Sequence, residues 1–390
     1  MTKSSTESTS YAALGASSAK AGVLNVLGEG TTARYFATPG PDPAGDPNYA
    51  YFLHADGAGT KSIVAYLLFR ETGNPHWFRS LAVDSLVMNL DDVACAGGLD
   101  GLVLSNTIGR NRHLIPDEAV SAIIRGYRET ADLLAQHGIE ITLSGGETAD
   151  VGDLVRTVIV DSTLSARVPR SNLVDAYRVI PGDLIIGFSA TGQSTLESAP
   201  NSGIGSNGLT LARNTLLSSY HTMKYPEVTD PSIPRDVAYR GRYKVTDLLD
   251  SVGMTAGEAL LSPTRTYSPL IREILRECDS GIHSLIHCTG GGQTKIKRFG
   301  KNVRFEKEEL FPTPPLFSVI QECGQIPWAE MYAVFNMGHR IEACVDPAVA
   351  DQIIAASQQF GIAAKVIGRV TFKDGENEVV IASPHGSFVY

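Results

Sequence analysis

The sequence predicts a mixed protein of the α+β class, folded as two domains. Three observations lead there. Apolar segments of strand length alternate with segments of helical period in both halves of the chain. The strand pattern restarts after VPRSNLVDAYRVIPGD, near Pro169. The 390 residues also exceed what one domain usually holds. We expect an N-terminal domain over residues 1–170 and a C-terminal domain over 171–390, with an extended insertion near 224–255 in the second.

Taken in order, MTKSSTESTS opens a Ser/Thr-rich tail and AKAGVLNVLGEG a short helix. TPGPDPAGDPN is a turn-rich loop. YAYFLHADGAGTKSIVAYLLFRETG gives an aromatic strand, a glycine turn and an apolar helix from about Ser62. Helical period predicts helices over Ser80 to Ala96 and Asp117 to His137, with the strand GLDGLVLSNTIG between them. IEITLSGGETADV reads as a strand running into a glycine loop, and LVRTVIVDSTLSARV as another strand. The second half opens with the strand DLIIGFSATG and a polar, Gly-rich stretch to Gly208, followed by the helix LTLARNTLLSSYH. After the insertion come the helix SPLIREILREC, the strand HSLIHC and the loop TGGGQTK. MYAVFNMGHRIEACV then leads into a strand, with the helix DQIIAASQQFGI and the strand AAKVIGRV behind it.

Composition narrows the function. Hydrophobic residues make up 43% and charged residues 19%, which is ordinary globular usage. Lys and Arg number 33 against 42 Asp and Glu, a net charge of −9, which argues against nucleic acid or an anionic membrane as partner. Cys95, Cys278, Cys288, Cys323 and Cys344 are widely spaced with no CxxC pair, so they read as reduced structural thiols rather than a zinc site or a disulfide framework. No apolar signal region and no run of membrane length is present. A cytoplasmic, soluble protein is the expectation.

The sharpest chemical element is Asp56-Gly57-Ala58-Gly59-Thr60-Lys61, set between a strand and a helix. Glycines let backbone approach a phosphate, and a helix N-terminus favours an anion. Lys61 can add a point charge and Asp56 can ligate magnesium. The spacing is not that of a Walker A loop, and an Asp-Gly turn that merely starts a helix stays open as the alternative. Asp84, Asp91 and Asp92 lie in one otherwise apolar helical segment with Asn89 beside them. A buried carboxylate needs a partner there, and a metal is an adequate one. Glu147 follows Gly145-Gly146 at the end of a strand. Glycine loops at Gly205–Gly208, Gly290–Gly292 and Asn336–Gly338 also read as plain turns. No nucleophile elbow and no HEXXH motif appears.

Read together, the motifs resemble the phosphoribosylformylglycinamidine cyclo-ligase (aminoimidazole ribonucleotide synthetase) family. DGAGTK, the pair Asp91-Asp92, GGETAD, GDLIIGFSATG, GSNG, LSPTRTY, HCTGGGQTK and FNMGH occur in the family's order over nearly the whole chain. The resemblance implies a two-domain PurM-like fold whose N-terminal sheet forms a β-barrel at a homodimer interface, with a sandwich-like α/β C-terminal domain. It implies ATP and magnesium, with Asp56, Asp92 and Glu147 as metal ligands. Gly57, Gly59, Thr60, Lys61, Gly145 and Gly146 would serve the nucleotide. Ser206, Asn207, Gly290, Gly291, Gly292, Asn336 and Gly338 would hold a ribonucleotide substrate.

The implied reaction is ATP-dependent ring closure of formylglycinamidine ribonucleotide to 5-aminoimidazole ribonucleotide in purine synthesis. Gly205 stands where commoner members have histidine, so no residue is assigned as general base. The alternatives are another enzyme of the same fold, similar to thiamine-monophosphate kinase, or a nucleotide-binding subunit without catalysis.

Overall fold

A computed structural model describes residues 11, 13–15 and 33–390. The tail and the short helix expected over AKAGVLNVLGEG lie outside the described residues. The first half runs β1 (Gly40–Pro41), β2 (Tyr49–Gly57), α1 (Lys61–Thr72), α2 (Arg79–Ala94), β3 (Leu102–Arg110), α3 (Asp117–Ala135), β4 (Ile141–Asp150) and β5 (Val158–Pro169). Its five strands form one sheet in the order β1-β2-β5-β3-β4, antiparallel except for the β3–β4 pair.

Alternation decides the two faces of this sheet. Phe52, Leu104, Ile108, Leu164 and Ala166 are buried on the side that packs against α2 and α3. The opposite face is open: Leu53 is 71% exposed, and Val103 and Ile159 about two-fifths. Gly126 of α3 lets the helices approach, since a Cβ there would sit 2.4 Å from the Arg79 carbonyl oxygen of α2. Within one chain the sheet is open and does not close into a barrel.

The expected glycine loop at Gly145-Gly146 is instead the middle of β4, a continuous edge strand exposed along most of its length. The pairing with β3 shifts register between Leu104 and Asn106. Gly145 takes φ +96°, and a Cβ on Gly146 would lie 2.1 Å from the Asn106 carbonyl oxygen. The glycines therefore serve a bulge and a close strand approach.

The second half continues β6 (Leu184–Ser189), α4 (Leu209–Leu216), α5 (Tyr220–Lys224), β7 (Leu248–Leu249), β8 (Met254–Thr255), α6 (Ala256–Leu261), α7 (Ser268–Cys278) and β9 (Ile282–His287). It ends with β10 (Val303–Lys307), α8 (Pro315–Gly324), α9 (Trp328–Val334), β11 (His339–Val345), α10 (Ala350–Gln358), β12 (Ala364–Phe372), β13 (Glu378–Ser383) and β14 (Gly386–Val389). Seven strands form the second sheet, ordered β14-β13-β10-β12-β6-β11-β9 and antiparallel except for β13–β10. β11 is buried along its whole length, which places its polar side chains in the interior.

Two features of this half depart from the periodicity. The helix expected over LTLARNTLLSSYH breaks at Leu217, which is extended and bridges to Tyr243 of the insertion, so α4 and α5 are separate. The insertion itself holds little regular structure and straps the two halves together. Lys224 reaches Glu71 of α1 at 3.2 Å, and Tyr66 of α1 donates to Glu227. On the other side Arg213 of α4 donates to the Tyr239 hydroxyl at 2.8 Å.

Candidate active site

Helix α2 lies between the first sheet and the second half, and it is buried on every side. Its three carboxylates therefore meet donors from both halves. Asp84 Oδ1 accepts from Lys61 Nζ (2.8 Å), the Thr264 backbone N–H (2.8 Å), the Thr264 hydroxyl (2.7 Å) and the Ser206 hydroxyl (3.0 Å). Lys61 is fully buried and also donates to the Ser262 carbonyl. Burial pulls its ammonium below the usual range, with Asp84 opposing. Lys61 thus ties α1 to α2 and to the 262–264 segment.

Asp91 accepts from the Thr266 hydroxyl and the Tyr267 backbone N–H, both at 3.0 Å. Burial nevertheless pushes its carboxyl up to about 7. Asp92 faces the other way. Burial acts to raise it, but the His287 hydrogen bond and nearby positive charge hold it below the usual carboxylate range. His287 Nδ1 sits 2.7 Å from Asp92 Oδ1, and Arg340 Nε lies 2.9 Å from His287 Nε2. A guanidinium only donates, so Nε2 accepts, the ring proton is on Nδ1, and His287 gives it to Asp92.

At the end of β2, Asn89 of α2 orients the neighbours of Asp56. Its Nδ2 faces the carbonyl oxygens of Asp56 (3.1 Å), Ser85 (3.0 Å) and Ser162 (3.0 Å). Its Oδ1 must then accept from His54 Nδ1 at 3.0 Å. That leaves His54 Nε2 turned toward Asp92 Oδ2, 3.6 Å away. Asp56 Oδ1 accepts from the Gly57 N–H at 2.7 Å, and its side chain is part-exposed. Asp56 and Asp92 are in this way linked through His54 and Asn89, with hard oxygen donors of the kind magnesium takes.

The glycine loops of the second half pack on this seam. Thr60 and Thr210 hydroxyls meet at 3.0 Å, joining the DGAGTK turn to the start of α4. Asn336 laces three loops: its Nδ2 donates to Gly203 O, its Oδ1 accepts from Gly338 N, and its carbonyl accepts from Gln293. A Cβ on Gly292 would lie 2.5 Å from the Phe335 carbonyl oxygen, and one on Gly208 2.4 Å from the Phe335 ring. Gly290 is exposed and Gly291 part-exposed at the lip of the same loops.

The fold therefore gathers Asp56, Thr60, Lys61, Asp92, Ser206, Asn207, Gly292, Asn336 and Gly338 along one junction between the halves. Glu147, Gly145 and Gly146 sit elsewhere. Glu147 pairs with Thr107, which pairs with Asp161, which pairs with Gly57. That register puts Glu147 on the open face of the sheet, three strands from β2. His54, His287, Thr264, Thr266 and Arg340 belong to the junction without having been singled out as site residues. The signal for four of them was their motif: Thr264 and Thr266 lie in LSPTRTY, His287 opens HCTGGGQTK, and Arg340 directly follows FNMGH.

A second buried polar group lies behind the FNMGH loop. Ligating atoms of Cys288, His339 and Glu342 come within 4.8 Å of one another. The fully buried Lys307 donates to Glu342, and His339 Nε2 lies 2.7 Å from the same oxygen. An ammonium already supplies the positive charge this carboxylate needs. All five cysteines are free. No helix among the described residues is long and apolar enough to cross a membrane.

Known proteins match this arrangement over nearly its full extent. The family described as AIR synthase related protein, N-terminal domain, matches residues 40–168, and its C-terminal counterpart matches 181–381. The phosphoribosylformylglycinamidine cyclo-ligase of Methanocaldococcus jannaschii is 31% identical over 83% of this chain and 79% of its own length. That of Thermococcus gammatolerans is 30% identical over 84% and 81%. Among solved structures, T. maritima PurL complexed with FGAR superposes with a TM-score of 0.53 at 14% identity, covering 88% of this chain. The match takes in 45% of PurL, so this chain spans less than half of that protein. A structure from Thermus thermophilus superposes at 0.50 and 15% identity over 92% of this chain and 94% of its own. By sequence over most of its length and by its two-domain PurM-like fold, this chain belongs to the phosphoribosylformylglycinamidine cyclo-ligase family.

Proposed function

We propose that the chain uses ATP to close the imidazole ring of 5-aminoimidazole ribonucleotide from formylglycinamidine ribonucleotide. The γ-phosphoryl group passes to the formyl oxygen, which converts a poor leaving group into phosphate. The amidine nitrogen attacks the formyl carbon, the C–O bond breaks, and ADP and phosphate are released. Such chemistry needs positioning and charge neutralisation rather than a protein nucleophile. The observation that carries the reading is Asp56 in the DGAGTK turn, joined through its backbone carbonyl by Asn89 and His54 to Asp92 near the end of α2, where the loops of the second half pack.

Asp56 and Asp92 fit magnesium: both are carboxylates, Asp56 is part-exposed, and Asp92 is held below the usual carboxylate range. When bound, the ion would neutralise triphosphate charge. Asn89 holds the Asp56 backbone carbonyl and His54 faces the Asp92 carboxylate, and Thr60 with the Gly57 and Gly59 backbone lies where phosphate would approach. Ser206, Asn207, Gly290, Gly291, Gly292, Asn336 and Gly338 would line the ribonucleotide side. Glu147, with Gly145 and Gly146, would act from a second copy of the chain. The uncovered sheet face around Leu53, Val103 and Ile159 supports a homodimer, in which two open sheets could complete a barrel. Residues 1–170 and 171–390 are read as the two domains, and the cytoplasm as the compartment.

The test is an assay with magnesium, ATP and formylglycinamidine ribonucleotide that follows ADP and aminoimidazole together. Equal, substrate-dependent release of both is expected. ADP without imidazole would replace the cyclo-ligase with a kinase-like activity.

A further inference from the structure

We propose that Arg340 and Asn207 form a binding site for a phosphate oxygen at the 205–208 loop, and that position 205 is glycine because the Arg340 guanidinium fills its side-chain space. The inference rests on the cyclo-ligase reading for its ligand, since both substrates of that reaction carry phosphate. Its geometry is independent of that reading.

Arg340 comes from β11 and is 1% exposed. Its Nε donates to His287, and its Nη2 lies 2.9 Å from Met88 Sδ. Its Nη1 is buried and has no hydrogen-bond partner among the described residues. A Cβ built on Gly205 would stand 1.6 Å from that nitrogen and 2.6 Å from the guanidinium carbon. Any side chain at 205 and this placement of Arg340 are therefore mutually exclusive. Gly205 also adopts φ +65°, which a substitution would strain. Two residues along the same loop, Asn207 Nδ2 is a second buried donor without a partner.

Two buried unpartnered donors, one from β11 packed against the 205–208 loop and one on that loop, are costly unless an acceptor arrives, and a guanidinium is best matched by an anionic oxygen. The loop is tied to the DGAGTK turn by Ser206 through Asp84 and by Thr210 through Thr60. An oxygen held there would sit where the two halves of the molecule meet. The shared chemistry has two sources, the ribose phosphate of the ribonucleotide or the triphosphate of ATP.

The experiment measures KM for each substrate and kcat for Asn207→Ala, Arg340→Lys and Gly205→Ala, with thermal melts for each variant. Asn207→Ala keeps the buried Arg340–His287 bond and carries the test if an Arg340 variant fails to fold. We expect Asn207→Ala to raise the KM of one substrate about tenfold or more, with the other KM within about twofold. Arg340→Lys should raise that same KM and, through the lost Nε bond to His287, also lower kcat. A rise for the ribonucleotide assigns the ribose phosphate; a rise for ATP assigns the triphosphate. Gly205→Ala should reproduce the loss by displacing the guanidinium. Adding Gly205→Ala to Arg340→Lys should cost much less than the sum of the two effects. Folded variants with both KM values unchanged would overturn the site. Wild-type protein that releases no aminoimidazole would instead overturn the cyclo-ligase reading. In that case, equilibrium binding of inorganic phosphate, weakened by Asn207→Ala, still decides for or against the site.

Discussion

Arg340 donates its Nε–H to His287 Nε2 at 2.9 Å, and this bond fixes which proton His287 offers to Asp92. Burial and the Arg340 charge push the imidazole down to about 4, so near neutral pH the ring is an uncharged donor. Its role is to hold Asp92 ionised and aimed.

His287→Ala should lower kcat/KM about tenfold or more and raise the magnesium concentration needed for half-maximal rate. His287→Asn retains an amide N–H for Asp92 and should recover part of the loss. A magnesium titration of both variants checks it; an unchanged metal requirement in His287→Ala would remove the link between His287 and the metal site.

Lys61 presents a contrast between its sequence context and its surroundings. It follows a glycine turn like a phosphate-binding lysine, yet its ammonium is buried against Asp84. Removing one partner of such a pair leaves an uncompensated charge, typically at a cost of about 3–5 kcal/mol. Lys61→Met should show that loss in guanidinium unfolding, and Lys61→Met with Asp84→Asn should restore part of it. A stable Lys61→Met protein with a raised KM for ATP would mean instead that Lys61 serves the nucleotide.

Much of this was legible in the sequence, and the gaps have physical causes. Apolar period located α2 and α3 to within two residues, and β2, β3 and β5 coincide with apolar, β-branched runs of strand length, whereas β1 lies in the segment read as a turn-rich loop. The three carboxylates in an apolar helix correctly announced buried partners. Which partners they meet was not legible, because Thr264, Thr266, His287 and Arg340 come from segments far along the chain, joined to α2 only by folding. Gly145-Gly146 misled because glycine marks a bulge and a loop alike. β10, β13 and β14 are short strands, and α8 follows a proline-rich stretch; none produced a clear periodic signal.

Asp56 carries the proposed metal site on the DGAGTK side. Asp56→Asn keeps the side chain's size and its oxygen for the Gly57 N–H while removing the charge. Turnover should fall by roughly two orders of magnitude or more, with the melting temperature nearly unchanged. A normal rate would take Asp56 out of the metal site.

The open sheet face bears on assembly. Leu53 is 71% exposed in the chain alone, and Val103 and Ile159 add apolar surface on the same sheet. Leu53→Glu would place a charge inside the proposed interface and should shift sedimentation from dimer to monomer, with activity lost if Glu147 acts across it. A dimer of undiminished stability would place the interface elsewhere.

His221 gives the acid sensitivity of the strap between the halves. Its Nε2 accepts from the Val245 N–H at 3.1 Å, and its Nδ1 is buried without a partner. Burial is the main cause that pushes the ring down to about 4; Glu71 and Asp247 oppose it, while Lys224 and Lys244 add to it. The unfolded chain, with an ordinary histidine near 6.5, binds a proton between these values that the folded chain does not. Stability from this group is therefore fully present above about pH 6.5 and is lost as pH falls toward 4, by about 3 kcal/mol. His221→Gln can still accept from Val245 but cannot take up the proton. Denaturant midpoints of wild type and His221→Gln should lie closest above about pH 6.5, and the wild type should fall relative to the variant as pH drops toward about 4. A constant difference across that range would show that His221 titrates alike in the folded and unfolded chains.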